Sequence, residues 1–149
     1  MEKKGKIMGV TISATHSSYQ FDMGYGGFNN LRKNIALALN DHFGKAYMNY
    51  SRCITNEENK KNDRLCEMMI EILGLDKEYN DVLDFLYASD IEGKISYKTC
   101  KKIADLLEPC MPALRTKWFR YEVYAGHDYE DFIAFLKECY RYHRNMLWY

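Results

Sequence analysis

Long apolar runs are missing from this chain. No stretch approaches the roughly 20 consecutive apolar residues that a bilayer-crossing helix requires, and no apolar segment of the secretion-signal kind follows the opening Met1-Glu2-Lys3-Lys4-Gly5-Lys6. The expectation is a cytoplasmic protein without membrane contact. Net charge is missing as well. The 21 Lys and Arg side chains are balanced by 21 Asp and Glu, so no bulk field draws in nucleic acid or an anionic surface, and nucleic acid is disfavoured as a partner. The five cysteines, at 53, 66, 100, 110 and 139, are odd in number and include no C-x-x-C pair. That argues against a disulfide framework and a zinc ribbon, and for reduced, packed thiols. Proline is scarce, with two residues at 109 and 112.

What the chain carries instead is aromatic surface. Of its 149 residues, 13 are Tyr, 7 Phe and 2 Trp, and the hydrophobic share is 47%. That composition lies far from disorder and fits one compact domain. With no net charge to hold copies apart, so many tyrosines favour self-association or partner binding.

Periodicity orders the chain. Val10, Ile12 and Ala14 alternate, as does Tyr19-Gln20-Phe21-Asp22-Met23, which predicts two strands joined as a hairpin through Thr15-His16-Ser17-Ser18. Such a hairpin needs helices to lie against. Phe28, Leu31, Ile35, Ala38 or Leu39, and Phe43 follow at helical spacing, with Gly44 as the stop, and Tyr47, Tyr50 and Ile54 continue in a second helix. Residues 56–62 are the most loop-like stretch and the place for a break in an otherwise single domain spanning 1–149. Leu65, Met69, Ile72 and Leu73 are helical as far as Gly74, and Asp76 is expected to cap a helix with Tyr79, Val82, Leu83 and Leu86. After a polar connection bending at Gly93, Ser96 caps a helix carrying Cys100, Ile103, Leu106 and Leu107, which Pro109 stops. Pro112 opens a helix with Leu114, Trp118 and Tyr121. Asp128 caps a last one whose face runs Phe132, Phe135, Leu136, Cys139, His143 and Leu147. The fold expected is α+β and mostly helical, an N-terminal β-hairpin packed on a compact assembly of about six or seven helices.

Gly24-Tyr25-Gly26-Gly27 before a helix is the most suggestive motif. Backbone amides there can converge on an anion at a positive helix N-terminus, with Asn29 or Arg32 as further donors and His16 in the hairpin connection as an acid or base. The spacing matches neither G-x-G-x-x-G nor G-x-x-x-x-G-K-[ST], and the plainer reading is a sharp strand-to-helix turn. Asp90, Glu92, Gly93 and Ile95 fall at the third, fifth, sixth and eighth positions of an EF-hand calcium loop. Ala88 and Thr99 occupy its first and twelfth, where carboxylates are required. Of His16, His42, His127 and His143, His143 alone has a Cys at helical spacing, Cys139, and one such pair does not make a metal site. His42 and His143 are expected to be partly buried beside apolar stripes. Asp128 and Asp131 read as a cap and a dipole-favoured acid. No G-x-S-x-G elbow is present. No catalytic residue, metal or cofactor is therefore assigned.

Charge patterning is more informative. Residues 76–92 hold six acids and one Lys, whereas 94–102 hold four Lys and no acid, so the two helices around Gly93 are oppositely charged and suited to clasp each other or a partner. Trp118, Tyr121, Tyr140, Tyr142 and Trp148 are interleaved with Arg115, Lys117, Arg120, Arg141 and Arg144, and aromatic residues and Arg are the types enriched at protein interfaces.

Met23-Gly24-Tyr25-Gly26-Gly27-Phe28 and Phe85-Leu86-Tyr87-Ala88-Ser89-Asp90-Ile91-Glu92-Gly93-Lys94-Ile95-Ser96 resemble segments of small uncharacterised proteins from Gram-positive bacteria and their phages or mobile elements. The resemblance implies a bacterial or phage setting and no particular reaction. The leading expectation is a non-enzymatic binding or regulatory protein acting through the aromatic and Arg-rich surface on a protein partner or on its own copy, including a phage protein that blocks a host factor. The alternative is a binder of phosphate or a nucleotide, or a small hydrolase, using the glycine segment.

Overall fold

A computed structural model of the chain describes residues 10–17, 20–23, 25–50, 56–89, 91–111 and 129–149. The α+β, mostly helical architecture is as expected. Strands β1 (Val10–Ala14) and β2 (Gln20–Met23) lead into helices α1 (Tyr25–Leu39), α2 (Asp41–Tyr50), α3 (Asn56–Leu73) and α4 (Leu75–Tyr87). A short strand β3 (Gly93–Ile95), α5 (Tyr97–Leu107), a 3-10 turn at Glu108–Cys110, α6 (Tyr129–Arg141) and strand β4 (Met146–Trp148) complete the described residues. The helix expected after Pro112 lies outside them.

The expected hairpin forms, with Ile12 opposite Phe21 and Ser13 opposite Gln20. It is not alone. The sheet has four strands in the order β2-β1-β4-β3, all neighbours antiparallel. Lying between β2 and β4, β1 is buried along its whole length, Thr11 and Ser13 included, rather than on one face. β4 replaces what periodicity reads as the end of the last helix. That helix stops at Arg141 because His143 takes a left-handed conformation, φ 52°. The Arg144 N–H then reaches back to the Cys139 carbonyl at 2.8 Å and the His143 N–H to that of Tyr140 at 3.3 Å, the paired bonds of a Schellman stop with His where Gly is usual. Asn145 holds the strand in place. Its carbonyl and amide bond to Thr15, and its side chain accepts the Tyr97 N–H at 3.3 Å.

Three helix boundaries differ from the periodic reading. α1 ends at Leu39, and Asn40 Oδ1 accepts the Phe43 N–H at 3.1 Å to open α2. Gly44 is thus no stop but a crossing point, where a Cβ would come within 2.5 Å of the Leu37 Cα. Residues 56–62 are not a loop but the start of α3, where Glu57 and Glu58 face the positive helix end and the Asn62 side chain donates to the Glu58 carbonyl. Gly74, at φ 65°, takes the N-terminal cap position of α4, so Asp76 sits inside the first turn. Ser96 caps α5 as anticipated, accepting the Thr99 N–H, and Pro109 falls in the 3-10 turn beyond it.

The core gathers around Trp148, which is 2% exposed. Its ring packs against Phe85 (5.2 Å between centroids, near-perpendicular) and Phe28 (5.9 Å), and these two meet edge to face at 5.8 Å. Trp148 lies opposite Gly93 in the β3–β4 register. A Cβ on Gly93 would sit 2.0 Å from the indole ring, so glycine is needed there to seat the ring. The bend expected of Gly93 does not require a left-handed backbone, since Gly74 is the one described glycine with positive φ. Gly93→Ala should lower unfolding stability by about 1–3 kcal/mol through overpacking, read by urea denaturation. A variant as stable as the parent would show that the indole does not rest on this position.

Candidate functional site

The glycine segment folds differently from an open anion cradle. Gly26 and Gly27 belong to the first turn of α1, and Gly24 lies outside the described residues. Asn29 is exposed on α1, and His16 is exposed in the turn after β1 with φ 57°. Arg32, the donor expected to complete an anion site, is turned into the protein and is 6% exposed. Its guanidinium stacks 4.4 Å above the Phe28 ring and 5.5 Å from that of Phe85, and Nη2 donates to the Ser89 carbonyl at 3.1 Å. The same carbonyl accepts the Trp148 indole N–H at 2.8 Å. Arg32 is therefore a structural cation, charge-stabilised by two aromatic faces and a backbone dipole.

Of the aromatic and basic residues expected at an interface, Arg115, Lys117, Trp118, Arg120 and Tyr121 lie outside the described residues. Trp148 is a core residue rather than a surface anchor, because the chain's last strand is drawn into the middle of the sheet. Tyr140 and Arg144 both lie near the C-terminal end of α6, Tyr140 beside Tyr97 and Lys101 and Arg144 beside Tyr142. Tyr140 is 40% and Tyr142 53% exposed. The Arg144 and Arg141 guanidinium groups lie 5.2 and 5.4 Å from the Tyr142 ring, and Lys101 Nζ lies 5.6 Å from that of Tyr140. Tyr97 stacks on the His143 imidazole at 4.5 Å and stands 6.2 Å from Tyr140. His143 is exposed here, not partly buried beside an apolar stripe, and His42 is exposed on α2.

Tyr97, Lys101 and His143 are the members of this cluster that reading along the chain misses. Tyr97 and Lys101 are four residues apart on α5, which gives them one face, but nothing in the sequence brings that face beside α6. The packing of α5 on α6 does so through buried side chains, among them Cys100, Ile103 and Leu107 on one helix and Phe132, Leu136 and Cys139 on the other. The Schellman stop then turns His143 back over Tyr97.

Cys100 and Cys139 share a hydrogen bond that shifts their thiols in opposite directions, Cys100 up and Cys139 down. Cys66, Cys100 and Cys139 are buried, and the hydrogen bond to Cys139 together with burial pushes the Cys100 thiol above its usual range. Burial does the same to Cys66 and Cys110. Among the described residues, no three His, Cys, Asp or Glu side chains gather as a metal site would require.

The clasp between the oppositely charged helices is present at Asp81. Its carboxylate accepts the Thr99 hydroxyl at 2.7 Å and Lys102 Nζ at 3.1 Å, and Lys102 also reaches the Glu78 carbonyl at 2.8 Å. Burial works to raise the Asp81 carboxyl. The Thr99 and Lys102 hydrogen bonds, the Lys102 charge and the Val82 amide outweigh it and hold the group below the ordinary carboxylate range.

Comparison with protein-family models, curated proteins and solved structures finds no match to this chain.

Two outcomes follow from the geometry. Asp81→Asn should cost about 1 kcal/mol near neutral pH, discounted for partial exposure of the pair. Because the folded-state pKa is lowered, this stabilisation is complete above the unfolded carboxyl pKa and fades as pH falls through the folded value. Urea unfolding across pH should show parent and variant converging in acid; a constant gap would exclude the charged latch. Arg32→Ala should destabilise by about 2–4 kcal/mol, from lost packing and two weakened partners, equally with or without phosphate in a thermal melt. A phosphate-dependent rise in melting temperature that vanishes in the variant would restore an anion-binding role.

Proposed function

We propose that this is a non-enzymatic binding protein whose contact surface is the tyrosine and cation cluster at the end of α6 and the start of α5, and whose partner is a protein segment rich in carboxylates. The observation that carries the reading is the pair Tyr140 and Tyr142, large, exposed and each held under a cation. Tyrosine offers a wide amphipathic contact area at the cost of few rotatable bonds. The stacked guanidinium groups limit the freedom of their own long side chains before any partner arrives, which reduces the entropy lost on binding.

The cluster is also locally basic. Lys101, Arg141 and Arg144 outnumber the acids beside them, which are Asp105, contacted by Lys101 at 2.6 Å, and Glu138 on α6. A carboxylate-bearing segment gains from that field, whereas the zero net charge of the whole chain gives no long-range attraction for a nucleic-acid polymer. Regulation by occlusion is a natural use of such a surface. The glycine segment offers no equal support, since Arg32 is engaged in the core.

Affinity capture from cells that make the protein, quantified by mass spectrometry, tests the proposal. Tyr142→Ala and Arg144→Glu should each reduce the specifically captured partner about tenfold or more, as interface anchors do, and raising salt should weaken capture. Both lie at the surface, so circular dichroism should be unchanged. Equal capture by the parent and both variants would exclude this surface as the contact.

A further inference from the structure

The exposed side of α3 carries a feature that the α6 cluster does not explain. Leu65, Met68 and Ile72 are 40%, 56% and 76% exposed, and they follow one another at spacings of three and four, one stripe along the helix. Single exposed apolar residues are ordinary on a protein surface; a continuous stripe marks a contact. Cys66, one step round the helix, is buried on the inner side, so the stripe is not the face that α3 packs inward.

We infer that α3 is the surface through which two copies of this chain pair, with their α3 helices antiparallel about a twofold axis between Leu65 and Met68. The charges beside the stripe select both the occupant and its direction. Arg64 and Glu71 lie on the same flank, two turns apart, both exposed and neither in a salt bridge among the described residues. In the antiparallel pair, Leu65 meets Met68 of the other copy, and the Lys61 stem covers Ile72. Arg64 then stands beside Glu71 of the other copy, twice by symmetry. A parallel pair places the two copies of this flank on opposite sides of the seam, so Arg64 and Glu71 do not meet there. The stripe is thus complementary to itself in one orientation. With no net charge, the chain adds no overall repulsion between copies. Three apolar side chains over about 11 Å of helix fall short of the roughly 800 Å² per partner of a standard interface, so the dimer forms and dissociates with concentration.

Sedimentation velocity on the full chain, from the lowest detectable concentration to the solubility limit, tests this. The parent should pass from monomer to dimer. Met68→Lys should raise the dissociation constant about tenfold or more. Arg64→Glu and Glu71→Arg should each weaken pairing severalfold, and the double exchange should restore it, an effect that a general loss of surface apolarity cannot produce. All three positions are exposed, with circular dichroism as the folding control, and Tyr142→Ala should leave pairing intact. A parent that stays monomeric throughout, pairing indifferent to Met68→Lys, or a double exchange as weak as either single change would overturn the proposal.

Discussion

One backbone carbonyl, that of Ser89, ties the described structure together. It accepts the Trp148 indole N–H and the Arg32 guanidinium at once, and so joins the chain's last strand to its first helix through the connection between α4 and β3. A buried indole N–H without an acceptor costs about 1–3 kcal/mol, and a buried guanidinium costs more. The position of residue 89 therefore decides whether the aromatic group of Phe28, Phe85 and Trp148 can be buried at all. Gly93 has its place in the same arrangement, because any side chain there would occupy the space of the indole. β4 can be drawn between β1 and β3 only because this seat exists.

The surface features follow from that placement. For β4 to run back into the sheet, α6 must end abruptly, and the left-handed His143 ends it. The same turn leaves Tyr142 outside, between two arginines, and lays the His143 ring on Tyr97. The aromatic and cationic cluster is thus the outer side of a turn whose inner side is structural. The stripe on α3 has an independent origin. α3 is a long helix that buries little more than Cys66 and leaves its opposite side apolar.

Charge acts here at short range and not as a net field. The Asp81 carboxylate joins α4 to α5 through a hydroxyl and an ammonium, and Arg32 is held by ring faces and a carbonyl in place of a carboxylate. Exposed pairs such as Lys45 with Asp41 and Lys137 with Glu108 contribute little stability. Their acids and bases hold the overall charge at zero, and the aromatic surfaces can then approach a partner without repulsion.

Local pattern by itself determined the hairpin, most of the helices and many of their inward faces. Alternation and helical spacing record which side chains must leave water, and Ser96 and Pro109 signal their helix ends through chemistry confined to a few residues. The polar residues 56–62 read as a loop because no apolar side chain among them marks an inward face, whereas Glu57, Glu58, Lys60 and Lys61 are good helix formers and α3 begins there. Tertiary structure alone decided the fate of the chain's end. Leu147 continues an apolar face that suits a helix, but the open side of β1 and the seat at Gly93 reward a strand. The same limit explains Arg32 and Trp148, whose residue types suit a binding surface equally well. Whether such a side chain faces a partner or the core depends on distant contacts, here the Ser89 carbonyl 57 and 59 residues away in sequence, and no local pattern encodes them.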